Sequence, residues 1–467
     1  MDTLEALRAL YSGRRWIVAA DNLVSAGQLG EVLRDLGARE VMAIGASRGT
    51  GPLASDAVVQ LSLGLLPATS MMAGIRESEA ILDDLPAAAR ARVDSFDPEE
   101  RARVIRAFFS SGQPVAGRAS YGVRRPEWRA LEDKLLADEL WEAAGIQRPA
   151  ARVVPIQQQA LGEAFTALDL GQGCVLAADN RLGWHGGATC TRWARRAEDL
   201  EGLAAFFRDR AHQVRLTPFI EGVPCSIHGM VFSDPAKPVA VFRPAEMLVL
   251  RRPWSRPSEA EGEFVYASAA TVWDPPDARR EEMREAARRV GALLRARYGY
   301  RGAFTIDGVL DREGFWPTEL NPRFGAALMQ MEKVLGYPLL LLNFAVIAGD
   351  DAALDAAAIE AEVLRSADEQ RASGAGLALL GEREGRIGRV ILREDAVRFA
   401  RDGERPDCTL ELGPAPTGAR MRLDFDPSAL VPGAPLGPVL ARTLEFLDSR
   451  YGLGLGKLEV YTNDFET

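Results

Sequence analysis

Residues 300–325 read YRGAFTIDGVLDREGFWPTELNPRFG and contain two strand-like runs joined by the turn DREG. Side chains on a strand alternate between its two faces, so residues two apart point the same way. If the runs pair as an antiparallel hairpin, Asp307 faces Glu319 across the ladder and Asn321 follows on the same face. Arg323 continues this spacing two residues later. The stretch therefore predicts a polar cluster on one face of a hairpin.

The residue types in this cluster suit a divalent cation beside a phosphate. Asp307, Glu319 and Asn321 offer hard oxygen ligands of the kind that Mg²⁺ prefers, and Mg²⁺ usually keeps water and substrate phosphates in its coordination shell. Arg323 adds a rigid fork of N–H donors for a transferring phosphoryl group or an oxyanion. The alternative is an exposed hairpin whose charged residues only contact water. Four matched polar residues on one strand pair favour the metal site.

Length and composition limit the classes of protein to which the chain can belong. Its 467 residues suggest about three domains. A hydrophobic content of 47% with 26% charged residues is typical of a soluble globular protein, and no apolar run approaches the roughly 18 residues of a membrane span. The start, MDTLEALRALYSGRRW, is acidic and amphipathic, unlike a signal peptide, so we expect a cytoplasmic protein.

Charge and cysteine content disfavour two further classes. The net charge of −10 argues against a nucleic-acid partner, because such binding requires a basic face that neutralises phosphates. Four widely spaced cysteines without a CxxC pair argue against a disulfide framework or a zinc site. Only four of the 56 basic residues are lysines, so a lysine retained in a motif carries more weight than usual.

The pattern along the chain predicts an N-terminal α/β unit. Residues 15–20 and 40–46 are strand-like runs separated by a helical pattern at 25–36, as in a parallel α/β domain. A helix is expected over 98–110 and a strand over 113–120. The glycine-rich stretch IGASRGTGP lacks the spacing of a phosphate-binding loop, so a plain turn is preferred to a phosphate site.

Later segments mix helices and strands. The periodic apolar residues of PEWRALEDKLLADELWEAA predict a helix that Gly145 ends, and a long Arg- and Glu-rich helix is expected over 277–297. The polar stretch 252–264 is long enough to be a mobile loop. Roughly the last hundred residues combine Pro- and Gly-punctuated strands with one helix, and we expect them to form a separate small α+β lobe.

The hairpin resembles the metal-binding hairpin of the ATP-grasp superfamily, whose pattern is an acid on one strand and E-x-N-x-R on the next. Upstream, LEDKLLADELWEAAGIQRP resembles a helix of that family and LTPFIEGVPCSI resembles its hinge. The resemblance covers roughly residues 126–345. It implies a multidomain α/β and α+β chain with the ATP-grasp fold: a Rossmann-like pre-ATP-grasp domain over 1–125, the ATP-grasp domain over 126–350 and the C-terminal α+β lobe over 351–467.

The resemblance also assigns nucleotide contacts. Lys134 would contact the ATP phosphates. Backbone groups of Pro218, Phe219 and Ile220 would hold the edge of the adenine, and Glu221 would bind the ribose hydroxyls. The loop GWHGGAT corresponds to a flexible, glycine-rich lid over the phosphates.

The same resemblance gives the hairpin its catalytic roles. Asp307, Glu319 and Asn321 would hold Mg²⁺ on ATP, and Arg323 would stabilise the transferring phosphoryl group or the tetrahedral oxyanion. Arg243 is expected to face the nucleotide cleft and bind a substrate carboxylate or the γ-phosphate, with an ordinary salt bridge as the alternative.

Two departures from the family pattern matter. The strand before the lid usually carries a second phosphate-binding lysine, whereas this chain has Ala177 and Ala178 there. We expect that either Arg181 or a residue of the lid, for which His185 is the natural candidate, supplies the missing charge, or that the affinity for the nucleotide is weaker. Biotin-dependent carboxylases of the superfamily place a glutamate four residues after the hairpin arginine, and Ala327 stands at that position here. The carboxylase activity therefore lacks its base.

The function that the resemblance implies is ligation of a small-molecule carboxylate to an amine through an acyl phosphate, with ADP and phosphate as products. By analogy, an amino-acid or peptide ligase of specialised metabolism is expected, and a homodimer is the expected assembly. Two different functions stay open: another ATP-grasp activity, such as a kinase or a thioester-forming ligase, and a nucleotide-binding protein without turnover.

Overall fold

Three β-sheets carry the fold in the computed structural model, which describes the residues named at the end of this paragraph. One sheet is parallel and N-terminal, one is a small antiparallel sheet, and one is a large sheet that runs through the second half of the chain. The described residues are 2–65, 68, 71–107, 112–183, 188–253, 263–379, 381, 383–393, 396–415 and 418–462.

The N-terminal sheet has four parallel strands in the order β3-β2-β1-β4. The strand, helix and strand expected at the start of the chain are present, because consecutive apolar runs pair in parallel around the connecting helix. The strands are β1 (Arg15–Asn22), β2 (Glu40–Ser47), β3 (Val59–Ser62) and β4 (Arg103–Arg106), and the helices are α1 (Thr3–Tyr11), α2 (Leu23–Asp35), α3 (Met71–Asp83) and α4 (Ala87–Phe96).

The segment predicted as a helix over 98–110 contains strand β4 instead, and residues 113–120 form no regular strand. Val104 and Ile105 are both fully buried, and they pack into separate cores on the two faces of the sheet. A parallel strand buried on both faces has no period of two, and its charged neighbours have a helix-like spacing. The sequence prediction for this segment was wrong for that reason.

The small antiparallel sheet has the strand order β5-β8-β6-β7. Two helices cover one of its faces and share its apolar core. The strands are β5 (Arg152–Pro155), β6 (Cys174–Ala178), β7 (Thr191–Ala194) and β8 (Gln213–Pro218), and the helices are α7 (Gln158–Leu168) and α8 (Leu200–Phe207).

The large sheet is antiparallel and follows the order β14-β13-β9-β11-β12-β15-β19-β18-β16-β17, with β10 paired to β9. Its strands are β9 (Val223–Val231), β10 (Ala240–Val241), β11 (Ala245–Arg251), β12 (Phe264–Ala270), β13 (Gly302–Leu310), β14 (Phe315–Asn321), β15 (Ser373–Leu379), β16 (Arg386–Leu392), β17 (Val397–Phe399), β18 (Cys408–Ala415) and β19 (Gly418–Phe425).

The C-terminal strands continue this sheet, because β15 pairs with β12. The sequence predicts a separate lobe for this segment, whereas its strands share a sheet with those of the hairpin. The remaining helices are α5 (Pro126–Ala130), α6 (Ala137–Ala143), α9 (Asp277–Tyr298), α10 (Ala326–Glu332), α11 (Leu339–Ala348), α12 (Ala356–Glu369) and α13 (Gly437–Tyr451).

Helix α9 covers one face of the large sheet, and the predicted 277–297 helix is thereby present. Its buried residues Met283, Ala287, Val290 and Leu294 recur at helical spacing and form one apolar stripe. Burial of each of the three larger side chains contributes about 1.5–3 kcal/mol. The stripe fixes which face of the sheet is core.

Strand β13 divides its side chains between that core and the opposite face. Phe304, Ile306 and Leu310 pack into the core that contains the α9 stripe. Thr305 and Asp307 alternate with them and line a cavity on the other side of the sheet. The polar face that the sequence predicts is therefore the cavity face.

No helix among the described residues is both long enough and apolar enough to cross a membrane.

Replacement of Gly173 by alanine is expected to destabilise the small sheet strongly. Gly173 has a φ of +82°, and an added Cβ would lie 2.0 Å from the carbonyl oxygen of Ala194. Gly145 is the matched control, because its φ is +64° but no atom lies within 4 Å of an added Cβ. We expect Gly145→Ala to cost about 1–2 kcal/mol, and Gly173→Ala at least about 2 kcal/mol more.

Thermal unfolding of both variants measures the difference. A Tm decrease for Gly173→Ala that does not exceed the decrease for Gly145→Ala would mean that strand β7 can move away from β6 at little cost.

Candidate active site

The hairpin forms as expected, with Asp307 directly opposite Glu319 in the ladder between β13 and β14. The turn is closed by a hydrogen bond from the Asp311 amide to the Gly314 carbonyl at 3.2 Å. The Asn321 side-chain amide donates to Asp307 Oδ2 at 2.7 Å. The backbone register therefore places two carboxylates and an amide side by side.

Arg323 extends this cluster beyond the end of the strand. Its Nη2 donates to Asn321 Oδ1 at 2.7 Å, and its Nε lies 3.5 Å from Glu132 Oε2. Burial opposes the charge on Arg323, but Glu132, Glu319 and Asp307 outweigh it and raise the pKa of the guanidinium. Arg323 therefore stays charged.

Glu132 was not singled out from the sequence, although it stands two residues before Lys134. It is buried and also accepts a hydrogen bond from Arg124, whose guanidinium in turn donates to the Pro322 carbonyl at 3.1 Å. These contacts attach the segment before α6 to the end of the hairpin. Glu132 is thus a positioning residue for Arg323.

The two hairpin carboxylates have unequal surroundings. Burial, followed by the charge of Glu319, raises the pKa of Asp307 to about 7, although Arg323 and Lys134 oppose the shift. A buried carboxylate beside a second one is destabilised unless a cation lies close. This excess of negative charge fits a divalent cation.

The donor set fits a cation that is shared with a nucleotide. Among the described residues, no three His, Cys, Asp or Glu side chains cluster in a way that would enclose a metal ion. Mg²⁺ is typically held by one or two carboxylates together with substrate phosphates and water. Asp307 and Glu319, with the Asn321 oxygen, meet this requirement only with a phosphate ligand present.

Lys134 lies next to the carboxylates. Its Nζ is 3.1 Å from Glu319 Oε2 and 2.9 Å from Thr191 Oγ1. The predicted continuous helix is interrupted here: Lys134 begins a 3-10 turn that Asp133 caps, between α5 and α6. The turn directs the lysine toward the hairpin.

A cavity of about 310 Å³ joins the hairpin to the hinge. The hinge residues Pro218, Phe219, Ile220 and Glu221 line it, and Phe219 stacks on Trp193 with ring centroids 3.8 Å apart. The sequence-predicted residues that line this cavity are Lys134, Pro218, Phe219, Ile220, Glu221, Asp307, Glu319, Asn321 and Arg323.

Glu221 has partners in the structure. Its carboxylate accepts hydrogen bonds from Arg251 Nη1 at 2.7 Å and from the Thr462 amide at 2.7 Å. Tyr461, which precedes Thr462, lines the cavity and donates to the buried carboxylate of Glu246. The C-terminal segment therefore contributes to the hinge end of the cavity, a contribution that the sequence did not indicate.

Arg243 does not face the cavity, which corrects the expectation that it binds substrate. It is completely buried, forms ion pairs with Asp274 and Asp368, and donates to the Trp273 carbonyl at 2.8 Å. An ordinary salt bridge, the second interpretation of this residue, describes these contacts.

The structure describes only one of the two cations that were expected to contact the phosphates, Arg181 and His185. The side chain of Arg181 is exposed and does not line the cavity, and its backbone amide donates to Asp179 Oδ1 at 3.2 Å. His185 lies outside the described residues, as do its neighbours from 184 to 187. Its contact with phosphate stays a prediction.

Arg215 lines the cavity and was missed by the sequence interpretation. It lies on β8, three residues before Pro218 of the hinge, and only 3% of its side chain is exposed. Its Nε and Nη2 each donate to Asp138 at 2.7 Å.

His228 also lines the cavity, as a neutral side chain. One ring nitrogen lies 3.0 Å from Ser226 Oγ and the other lies 3.0 Å from Thr305 Oγ1. Burial lowers the pKa of His228 to about 3. These contacts are those of a structural histidine, because both ring nitrogens have partners.

No protein-family model and no curated protein matches the sequence. Solved structures do match. The biotin carboxylase domain of 2-oxoglutarate carboxylase from Hydrogenobacter thermophilus, in complex with MgADP, ADP and bicarbonate, is 13% identical with a TM-score of 0.53, over 89% of this chain and 86% of that chain.

Two further structures have comparable similarity. Carboxyaminoimidazole ribonucleotide synthase from Aspergillus clavatus, complexed with ATP, is 13% identical with a TM-score of 0.52, over 94% of this chain and 99% of that chain. Biotin carboxylase from Campylobacter jejuni, in a β-γ-ATP complex, is 13% identical with a TM-score of 0.51, over 89% and 88%. These similarities establish the fold alone: a mixed α/β fold with several sheets, in agreement with the ATP-grasp fold expected from the sequence.

His228 is expected to make stability depend on pH. The folded protein keeps it neutral down to about pH 3, whereas its ordinary pKa is 6.5. The stabilisation is therefore complete above pH 6.5 and is lost as the pH falls toward 3. Between pH 6.0 and 4.5, the wild type should lose about 2 kcal/mol of unfolding free energy relative to His228→Gln.

Denaturant unfolding at several pH values measures this difference. The exposed His212, replaced by glutamine, serves as the control, and this variant should follow the wild type. Parallel pH profiles for wild type and His228→Gln would contradict a neutral buried histidine.

Proposed function

We propose that this chain, which has the fold of the ATP-grasp enzymes, is a ligase that uses ATP to join a small carboxylic acid to an amine. One observation carries the proposal: the hairpin carboxylates, Lys134, Arg323 and the hinge line a single cavity. The cavity has acidic metal ligands at one end and a hinge with an aromatic side chain and backbone groups at the other. This arrangement suits a nucleoside triphosphate bound along the cavity.

The first step activates the acid. A carboxylate oxygen attacks the γ-phosphorus of ATP, and the bond from this phosphorus to the β–γ bridging oxygen breaks. ADP departs, and an acyl phosphate is formed. Lys134 would hold the phosphates, and Arg323 would neutralise charge on the transferring group. This chemistry depends on positioning and on charge neutralisation, so it needs no nucleophilic side chain.

The second step forms the amide. The amine nitrogen attacks the acyl carbon, phosphate departs as the leaving group, and the proton of the amine leaves with it. Arg323 would stabilise the oxyanion of the tetrahedral intermediate through its fork of N–H donors. Water must be excluded from the cavity between the two steps, because it would hydrolyse the acyl phosphate.

Asp307, Glu319 and Asn321 would hold Mg²⁺ when MgATP binds. The ion would neutralise charge on the phosphates during transfer. The residues Pro218, Phe219 and Ile220 would hold the adenine, and Glu221 would reach the ribose if its contacts with Arg251 and Thr462 exchanged. A contact of His185 with the phosphates belongs to the same proposal.

A carboxylase that deprotonates bicarbonate is disfavoured by Ala327. This residue lines the cavity, and its methyl group offers no base. A kinase, a thioester-forming ligase and a nucleotide-binding protein without turnover would share the nucleotide end of the site with the proposed ligase. They differ from it in the acceptor that they require.

The wider proposal includes a domain boundary at about residue 125, a cytoplasmic location, homodimeric assembly and an amino-acid or peptide ligase activity. The ligase activity is tested by a screen of amino acids and small carboxylates in pairs for phosphate release from MgATP. Release that requires both an acid and an amine supports a ligase; release with one substrate alone would identify a different reaction.

Glu319→Gln is expected to reduce ADP formation by more than about 100-fold. The substitution keeps the shape of the side chain and removes the charge that lies opposite Asp307 and would hold Mg²⁺. Steady-state ADP release at saturating Mg²⁺ measures the effect, and Glu313→Gln in the exposed turn of the same hairpin is the control. Wild-type turnover in Glu319→Gln would exclude it as a metal ligand.

Lys134→Met is expected to raise the KM for ATP and to lower kcat. Removal of a charge-assisted contact to phosphate typically costs about 1.5–3 kcal/mol, or roughly 10- to 150-fold in kcat/KM. Lys457→Met, which removes an exposed lysine, should leave both constants unchanged. Normal kinetics in Lys134→Met would mean that the lysine only pairs with Glu319 and does not bind phosphate.

A further inference from the structure

Strands β6 and β8 present matched pairs of side chains to the cavity. Ala177 lies directly opposite Arg215 in the ladder, and Val175 lies opposite Thr217. All four line the cavity. Residues that oppose each other in an antiparallel pair share one face, with Cβ atoms about 4.5–5.5 Å apart. The side chain of Arg215 therefore emerges beside the methyl group of Ala177.

The small side chain at 177 leaves room for the long one at 215. The neighbouring residues on both strands, Leu176, Val214 and Leu216, point to the opposite face and pack in the core of the small sheet. A cation on either β6 or β8 at this step would enter the same part of the cavity. This chain places it on β8.

The guanidinium of Arg215 has strong hydrogen bonds on one edge only, and its third nitrogen, Nη1, is available for a further acceptor. Asp138 takes Nε and Nη2 in a bidentate pair, whereas Nη1 makes only a 3.5 Å contact with the Thr318 carbonyl oxygen. A contact at that distance is weak. An anionic oxygen in the cavity would be a better acceptor for Nη1.

The other cations that line the cavity have different tasks. Arg251 contacts Glu221 and the Val460 carbonyl at the hinge end. Arg323 contacts Asn321 at the hairpin end. A triphosphate that spans the two ends carries several negative charges, and buried charges need paired partners.

One segment positions both remaining cations. Lys134 begins the 3-10 turn, and Asp138, which orients Arg215, follows in the first turn of α6. The two cations therefore enter the cavity from neighbouring parts of its wall.

We infer that Arg215 binds a phosphate oxygen of ATP together with Lys134, and that it supplies from β8 the positive charge that β6 lacks at Ala177. Asp138 is its positioning residue. This inference rests on the proposed function, because it requires that MgATP occupies the cavity.

The test removes Arg215 without leaving a buried charge unpaired. Asp138→Asn alone keeps the arginine, and Asp138→Asn with Arg215→Met removes both charges of the pair. We expect the single variant, which keeps Arg215 but loses the bidentate carboxylate that positions it, to bind MgATP about 2- to 5-fold more weakly than wild type, and the double variant to bind it about 10- to 100-fold more weakly. Adenosine, which lacks phosphates, should bind both variants equally in calorimetric titrations.

A relocated charge provides the stricter test. Adding Ala177→Lys to the double variant should restore MgATP affinity to within about 5-fold of wild type, because a lysine at 177 enters the same part of the cavity. Arg289→Leu, an exposed arginine on α9, is the control and should leave affinity unchanged.

The outcomes separate the two proposals. If wild-type protein binds no MgATP, both the proposed function and the role of Arg215 are wrong. If wild type binds MgATP and the double variant binds it equally well, only the role of Arg215 is wrong. Equal losses of adenosine and MgATP affinity, or failure of Ala177→Lys to restore binding, would mean that Arg215 maintains the shape of the cavity wall.

Discussion

The pairing of two partly buried carboxylates, Asp307 and Glu319, is the constraint on which the rest of the site depends. The ladder between β13 and β14 fixes them opposite each other. Burial and mutual repulsion make this pair unfavourable unless cations lie close. Lys134 lies beside Glu319, and Arg323 reaches Asp307 through Asn321. A bound metal ion would pair with the two carboxylates, and a phosphate anion would pair with Lys134 and Arg323, so the two together would balance the charges of the site.

The hairpin itself was predictable, because two strand-like runs joined by a four-residue turn pair by local rules. Its register was not: a regular ladder from the turn would pair Asp307 with Thr318, and an irregularity between Asp307 and Gly308 brings Glu319 opposite Asp307 instead. The apolar positions between them then have to face the core, which α9 provides. Lys134 was assigned through the family resemblance, and the scarcity of lysine in this chain added weight to the assignment. Its local structure is a short turn rather than a long helix.

Other features depend on contacts between distant segments and were therefore missed. Arg215 stands out only once β8 is known to pair with β6, because nothing within its own strand relates it to Ala177. Arg243 was assigned to the cleft, but Asp274 and Asp368, from elements later in the chain, pair with it. The C-terminal strands were mispredicted for the same reason, since their pairing partner lies far away in the sequence. They were expected to form a separate lobe and instead extend the large sheet.

The central claim is that the carboxylate is activated as an acyl phosphate. Transfer of ¹⁸O tests it most directly, with a substrate pair identified by phosphate release and the acid labelled in its carboxylate. An acyl phosphate leaves one carboxylate oxygen on the phosphate, so each phosphate released should carry one ¹⁸O from fully labelled acid. Turnover with unlabelled phosphate, or with the label in AMP, would contradict the account.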